Sequence, residues 1–270
     1  MKTKIFTFGI SLFLLAFLAN FAVLQAQIPE GGTVQDSVYV WDDFLITGDS
    51  LTDTNGSTGE GWDGVWTYPA GHNSGVDSIY GGILAKAGGF GINRDLLNSI
   101  PLGQSQFYLA FVVNKSETGS FTVAGPRQPD GITRYAVGIN ADGSLQANIA
   151  NTNVTGTPGL IENNTTYLVV AKWMYSGNGK MNISVFKGGE TLPVDEPAAG
   201  EWDFEESGGI TGVPIDYFRL AFSSETIQLF DFKVGDTWSS VIDSMLLLTP
   251  TKLDAMAVSS SSVMLTWEDN

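Results

Sequence analysis

In the stretch Gln106-Phe-Tyr-Leu-Ala-Phe-Val-Val-Asn114, large apolar residues recur at every second position, and this alternation decides the fold class. Phe107, Leu109, Phe111 and Val113 fall on one side of an extended chain, because successive side chains of a β-strand point to opposite faces. The same period of two recurs in the sets Tyr135/Val137/Ile139, Leu145/Ala147/Ile149, Met181/Ile183/Val185, Phe218/Leu220/Phe222 and Phe230/Phe232/Val234. Together these sets predict one core between two antiparallel sheets.

Outward from this stretch, about ten short extended segments separated by turn residues fill the chain between residues 37 and 242, with no convincing helix. The predicted strands are Ser37–Phe44, Ser78–Ala87, Gln106–Asn114, Ser120–Ala124, Arg134–Asn140, Ser144–Ala150, Thr166–Tyr175, Lys180–Lys187, Tyr217–Ser223 and Ile227–Val234. Turns such as Asn140-Ala-Asp-Gly143 separate them, which indicates a sandwich or barrel.

The opposite faces of these strands carry mainly polar residues, which predicts a mixed polar sheet face open to water or ligand. These residues are Tyr108, Arg134, Asn140, Gln146, Asn148, Asn182, Ser184, Arg219, Asp231 and Lys233.

Five segments in a fixed order carry a family resemblance: Trp41-Asp-Asp-Phe44, Gly59-Glu-Gly-Trp-Asp-Gly-Val-Trp66, Gln106–Val113, Thr166-Tyr-Leu-Val-Val-Ala-Lys172 and Phe230-Asp-Phe-Lys-Val-Gly-Asp-Thr-Trp238. Residues 37–242 thus resemble a bacterial laminin-G-like jelly roll of the concanavalin A-like lectin/glucanase superfamily. The resemblance implies an all-β, two-sheet antiparallel jelly-roll sandwich. That superfamily includes sugar-binding modules, adhesion modules and glycoside hydrolases, so the fold leaves the function open.

The ends of the chain predict an exported, modular protein. Residues 1–26 have the basic start, apolar run and small residue before a cleavage point that are typical of a signal peptide; an uncleaved anchor is the alternative. Residues 27–36 and 244–250 are expected linkers around a jelly roll at 37–243. Residues 251–270 resemble the first two strands of a fibronectin type III domain, here truncated.

Composition excludes several classes of function. The formal net charge of −16 argues against nucleic-acid binding, which needs cations to displace counterions from phosphate. The absence of Cys removes disulfide frameworks and thiolate metal sites, and a single His excludes a multi-His zinc site. We expect an extracellular protein, secreted or on the cell surface of a bacterium, that does not insert into the membrane once its signal is cleaved.

Aromatic residues on the predicted strand Thr166–Tyr175 suggest a sugar-binding platform. Trp173 and Tyr175 share a face with Tyr167, and sugar rings stack on aromatic faces while polar neighbours bind the hydroxyl groups. Arg134, Asn148 and Asn182 are candidate polar neighbours. The alternative is that the aromatic residues fill the core.

The segment Glu201-Trp-Asp-Phe-Glu-Glu206 is the candidate catalytic site. Retaining glucanases of the resembled superfamily carry acidic residues at similar spacing on one strand, which implies Glu201 and Glu206 as the catalytic pair with Asp203 between them. Retaining hydrolysis needs two carboxyl groups about 5–5.5 Å apart. The flanking Pro, Ala and Gly residues favour the other interpretation, a solvated acidic loop.

Asp43, beside Asp42 at the end of the first strand, and Asp231 near the last could hold a structural calcium ion. Such acids also form turns at strand ends.

The sequence therefore predicts a secreted, non-catalytic carbohydrate-binding or adhesion module of a larger extracellular protein, with a glycan or cell-surface partner. A retaining glycoside hydrolase and a structural spacer without ligand are the alternatives.

Overall fold

A computed structural model describes residues 38–44, 59–68, 76–79, 82–85, 90–100, 106–116, 119–125, 135–149, 152–174, 180–207, 214–224, 227–242, 251–259 and 262–268. The predicted signal peptide and both predicted linkers lie outside these ranges, as do Arg134 and Tyr175.

The described residues form strands and one short helix. In chain order these are β1 (Val38–Asp42), β2 (Trp62–Thr67), β3 (Val76–Ile79), β4 (Gly82–Ala85), β5 (Phe90–Ile100), β6 (Gln106–Lys115), β7 (Ser120–Ala124), β8 (Tyr135–Ile139), β9 (Leu145–Ile149), β10 (Thr152–Thr155), β11 (Thr166–Met174), β12 (Lys180–Lys187), β13 (Phe204–Ser207), β14 (Ile215–Ser224), β15 (Ile227–Gly235), α1 (Trp238–Ile242), β16 (Thr251–Ser259) and β17 (Ser262–Glu268).

Two antiparallel sheets contain most of these strands. Within the described part of the chain, one sheet has eight strands, in the order β13-β12-β11-β6-β15-β4-β3 with β1 also paired to β15. The other has seven, in the order β10-β9-β8-β7-β14-β5-β2. The predicted two-sheet antiparallel sandwich is confirmed. The first strand, β1, pairs with β15, so that Val38 lies opposite Gly235.

The main core lies between the facing sheets and contains the residues that the alternation placed inward. Phe107, Leu109 and Phe111 of β6 pack in one cluster with Phe218 and Leu220 of β14, on the opposite sheet. Aromatic rings fill much of this space; Phe111 and Phe121, for example, meet edge to face with their centroids 5.3 Å apart.

A second apolar cluster covers the outer face of the eight-stranded sheet. Tyr108 and Leu168 point outward from β6 and β11, and Trp202, Trp238 and Val241 pack onto them. The connection between β12 and β13, together with α1, thus shields this face.

The structure differs from the sequence prediction in several places. Four strands, β2, β5, β10 and β13, are unpredicted, and β3 and β4 pair antiparallel where a single strand, Ser78–Ala87, was predicted. In β5, Arg94 points inward and interrupts the apolar alternation. Phe230 was wrongly placed in the core: the register with β6 shifts between Leu229 and Phe232, so Phe230 packs on the outer cluster. The helix α1 was also unpredicted.

Strands β16 and β17 form an antiparallel hairpin, in which Ala255 lies opposite Leu265. The two strands expected in residues 251–270 are therefore present, and their identity as the start of a fibronectin type III domain stays a prediction. Within the described ranges, no helix has the length and apolar character needed to cross a bilayer.

Candidate functional site

The outer face of the seven-stranded sheet is built from small and polar residues in register across the strands. Arg219 of β14 lies opposite Asn93 of β5 and Ala124 of β7. The row continues through Ala136 of β8 to Asn148 of β9. A second row runs parallel to it, through Gly91, Ala221, Thr122, Gly138 and Gln146.

Small side chains in the middle of these rows leave a depression with a volume of about 240 Å³, which we call the sheet-face trough. Its lining residues are Thr122, Ala124, Ala136, Gln146, Asn148, Asn153, Arg219 and Ala221. Arg219 and Asn148 are separated by three inter-strand steps, or about 14 Å at the usual strand spacing. The trough therefore has polar walls and a floor of alanine and threonine.

The guanidinium group of Arg219 forms the wall on the β14 side. Its Nε atom is buried and has no hydrogen-bond partner in the structure, and the same is true of Oδ1 of the neighbouring Asn93. A buried polar atom left unpaired costs about 1–3 kcal/mol. Because both atoms are buried, a ligand in the trough would bind the terminal nitrogens of the guanidinium group and not Nε.

Amide side chains form the opposite wall. Nδ2 of Asn148 donates a hydrogen bond to Oδ1 of Asn153 at 2.6 Å, across the pairing of β9 with β10. This bond orients both side chains on the sheet surface. Gln146, two residues before Asn148 on the same strand, extends the amide wall.

The aromatic platform predicted around Trp173 is wrong. Trp173 has 0% of its surface exposed, stacks on Tyr135 at a centroid distance of 5.0 Å and meets Phe107 edge to face at 4.8 Å. The alternation on β11 turns Tyr167 and Trp173 into the core and Leu168 outward. The predicted partner Tyr175 lies outside the described residues.

Asn182, predicted to bind ligand, is buried instead beneath Trp202. With its amide oriented to satisfy both neighbours, it accepts a hydrogen bond from Nε1 of Trp202 at 3.3 Å and donates to the carbonyl of Met181 at 3.2 Å. These contacts hold the covering tryptophan in place. Arg134, also predicted to bind ligand, lies outside the described residues.

The acidic segment does not form the predicted catalytic strand. Glu201 and Asp203 precede β13, and they accept hydrogen bonds from the backbone amides of Ala198 and Val185. β13 is only four residues long and pairs with β12 at the edge of the sheet, where Glu206 lies opposite Met181. Glu201 and Asp203 thus lie in an exposed loop, as the other interpretation of this segment predicted, and not on the catalytic strand that the resemblance implied.

The outer face of the eight-stranded sheet also holds polar groups that satisfy one another. Nζ of Lys172 contacts both carboxylate oxygens of Glu196 at 2.9 Å, and the Tyr108 hydroxyl donates to the same carboxylate. Although burial opposes ionisation, hydrogen bonds from Tyr108 and Lys172 lower the pKa of Glu196. Burial and the contact with Glu196 raise the pKa of Tyr108. This network ties the covering loop to the sheet.

Asp42, the last residue of β1, forms a buried ion pair with Arg94 of β5. Its carboxylate accepts hydrogen bonds from Arg94, from Nε1 of Trp66 at 2.8 Å and from the backbone amide of Phe44 at 2.8 Å. Burial raises the pKa of Asp42 to about 6, and these three donors oppose the rise. Asp42 therefore anchors the inside of the sandwich.

The pairing of β1 with β15 brings Asp43 close enough to Asp231 for their charges to interact. Burial raises the pKa of Asp231 to about 6; the charge of Lys233 opposes this rise, whereas Asp43 and Asp42 add to it. Carboxylate oxygens suit Ca²⁺, which takes about 6–8 oxygen ligands. Among the described residues no group of three or more His, Cys, Asp or Glu side chains is arranged for a metal ion, so backbone carbonyls or water would supply the remaining ligands.

Comparisons with known proteins establish the fold. No protein-family model matches the sequence, and a search of the curated proteins finds no match. Among solved structures, the globular domain of T. cruzi calreticulin is similar with a TM-score of 0.50 and 12% sequence identity, covering 76% of this chain and 90% of that chain. The chain therefore adopts a concanavalin A-like sandwich, as the resemblance implied.

Two further structures are similar at lower scores. The receptor binding domain of botulinum neurotoxin C/D mosaic serotype has 10% identity and a TM-score of 0.49, over 76% of this chain and 49% of that chain. This chain thus spans about half of the neurotoxin chain. The CBM2 module of the evolved Dit of Lactobacillus casei BL23 phage J-1 has 14% identity and a TM-score of 0.45, over 74% of this chain and 95% of that chain.

Proposed function

We propose that this protein is a non-catalytic carbohydrate-binding module that holds a glycan in the sheet-face trough. The observation that supports this most is the trough itself, with amide, hydroxyl and guanidinium groups around a floor of small side chains. Binding sites of this type combine an apolar floor with a few convergent polar groups that fix the orientation of the ligand.

The chemistry of the trough suits a polyhydroxylated ligand. Amide side chains both donate and accept hydrogen bonds, as the vicinal hydroxyl groups of a sugar do. Thr122 adds a hydroxyl on the floor, while Ala124 and Ala136 leave room for a ring to approach the sheet. The same residues offer little to a hydrophobic peptide, because the lining contains no large apolar side chain.

The wider setting is part of the same proposal. Residues 1–26 direct the protein out of the cytoplasm, and residues 251–270 form the first two strands of a fibronectin type III domain. The bound glycan belongs to a cell surface. Asp43 and Asp231 hold a structural calcium ion next to the pairing of β1 with β15.

Retention on immobilised polysaccharides, followed by a glycan array, tests the binding proposal. The variant Ala124→Phe places a ring inside the trough and should abolish retention. Val194→Phe is the matched control, because Val194 is 85% exposed in the loop before β13, away from the trough. No retention of the native protein on any polysaccharide would contradict the proposal, and equal retention of both variants would remove the trough as the site.

A further inference from the structure

A single charged side chain lies among the residues that line the sheet-face trough. It belongs to Arg219, and the other seven residues are neutral. No described carboxylate forms an ion pair with this guanidinium group, and its buried Nε has no hydrogen-bond partner. On the opposite face, by contrast, Lys172 is neutralised by Glu196. Among the residues that the structure describes, the trough thus presents one positive charge with no carboxylate paired to it.

Gly91 determines where that charge lies. A Cβ atom on residue 91 would stand 2.6 Å from Nε and 2.7 Å from Nη2 of Arg219, closer than real side-chain contacts allow. The guanidinium group therefore rests against the backbone of β5, in space that only a glycine leaves open. Because β5 borders β14 on the side away from β7, the guanidinium group lies at the β14 edge of the trough, across that strand from the amide wall.

We propose that the ligand is an acidic glycan, in which the carboxylate of a uronic acid residue pairs with Arg219. This inference rests on the proposed function and names the class of sugar. A guanidinium group binds a carboxylate through two parallel hydrogen bonds, and such charge-assisted pairs are stronger than hydrogen bonds to neutral hydroxyls. Gln146 and the Asn148–Asn153 pair, three strands away, then bind hydroxyl groups of sugars further along the same glycan chain.

The charge of the whole protein narrows the class of glycan further. At a net charge of −16 the protein repels polyanions at long range, so attraction must come from the local pair in the trough. One cation matches the single carboxylate that each uronic acid residue carries, not the several sulfate groups on each residue of a densely sulfated polymer. Because added salt screens the long-range repulsion more than the short pair, affinity should not fall steeply with salt.

Isothermal titration of the full chain tests the proposal. The probes are tetrasaccharides of galacturonate, guluronate and glucuronate, each with its carboxyl-reduced neutral counterpart. We expect at least one uronate to bind ten-fold or more tightly than its reduced form. Arg219→Ala should remove that preference, and Arg219→Lys should retain only part of it, because an ammonium group lacks the two-pronged geometry.

Two further variants test whether the position of the Arg219 charge, and not simply the net charge of the protein, determines uronate binding. Gly91→Ala keeps the charge but displaces the guanidinium group, so it should weaken uronate binding at least five-fold. Lys187→Ala removes the same charge from an exposed pair with Glu162 on the other sheet and should change affinity less than two-fold. Thermal unfolding of each variant identifies any loss of folded protein.

Each outcome decides a different claim. Equal binding of uronate and neutral tetrasaccharides, or uronate binding unaffected by Arg219→Ala, would overturn the acidic-sugar inference while leaving the carbohydrate-binding function intact. Binding of poly-glutamate that depends on Arg219, without binding of any sugar, would overturn both. Failure of all sugars, together with no retention on polysaccharides, would likewise contradict both.

Discussion

The two outer faces of the sandwich differ in how their polar groups are satisfied. On the eight-stranded sheet, Trp202 and Trp238 cover the strands and Glu196 neutralises Lys172. On the seven-stranded sheet, small residues leave a trough and the Nε of Arg219 has no partner. Residues of the same chain thus cover the outer face of the eight-stranded sheet, whereas the described residues leave the trough on the seven-stranded sheet open. Stability and binding should accordingly depend on different faces.

The largest expected effect comes from the core that both faces share. Trp173→Ala should lower the free energy of unfolding by about 3–5 kcal/mol, since it removes a fully buried ring that contacts Phe107 and Tyr135. Urea denaturation measures this loss. A change below about 1 kcal/mol would mean that Trp173 is not in the core and would revive the platform that the sequence suggested.

The next variant separates the two faces directly. Trp238→Ala should cost about 3 kcal/mol, because Trp238 meets Trp202, Phe186 and Tyr108 edge to face on the covered sheet. Arg219→Ala, on the open sheet, removes a buried Nε that has no hydrogen-bond partner and so should leave stability unchanged or raise it by about 1 kcal/mol. The comparison between the faces fails if the two substitutions have similar effects in the same denaturation experiment.

The stability of the protein should depend on pH through Asp231, an acidic residue on β15 of the eight-stranded sheet. Since the pKa of Asp231 is raised to about 6 in the folded protein, the folded state binds more protons than the unfolded state between about pH 4 and 6. The contribution of Asp231 to stability is therefore present below pH 4 and is lost as the pH rises through 6. Its loss amounts to about 1–2 kcal/mol after allowance for solvent screening.

Melting temperatures of the native protein and Asp231→Asn across this range check the sign. The native protein should lose stability relative to the variant as the pH rises from 4 to 7. A relative gain over the same range would show that Asp231 is ionised and well paired in the folded state.

The proposed calcium site gives a further test of stability at the eight-stranded sheet. If Asp43 and Asp231 hold Ca²⁺ as proposed, millimolar Ca²⁺ at pH 7 should raise the melting temperature by a few degrees, since a ligand that binds only the folded state stabilises it. Asp231→Asn should abolish this rise, whereas Glu201→Gln, in the acidic segment before β13, should leave it unchanged. An identical melting temperature in EDTA and in Ca²⁺ would exclude the ion.

The smallest effect concerns the pair that ties the loop to the covered sheet. Glu196→Gln should cost about 1 kcal/mol, because the Lys172 side chain is 11% exposed while that of Glu196 is 38% exposed and partly screened. Lys187→Ala, whose partner Glu162 is also exposed, should cost less than about 0.5 kcal/mol. Equal costs would show that burial does not distinguish the two ion pairs.

The alternation of apolar residues was sufficient to predict the sandwich and most of its core. It worked for β6, where Phe107, Leu109 and Phe111 are buried as expected. It failed for β5, where Arg94 points inward to Asp42, a contact between residues far apart in sequence. It failed again at Phe230, because a shift in pairing reverses the faces and leaves no local signal in the sequence.

The candidate site was predicted only in part. Gln146, Asn148 and Arg219 were expected on a polar sheet face, and they line the trough. The trough itself depends on the small side chains of Ala124, Ala136 and Ala221. Such residues give no signal in the sequence until the strand order places them side by side. The aromatic residues drew attention instead, although Trp173 fills the core.

The most direct test of a binding trough on the seven-stranded sheet is an NMR titration of backbone amides with a glycan that the array identifies. The account predicts that chemical shifts change in β7, β8, β9 and β14, and most at residues next to Ala124 and Arg219. Shift changes confined to the eight-stranded sheet, or to the acidic residues 201–206, would contradict it.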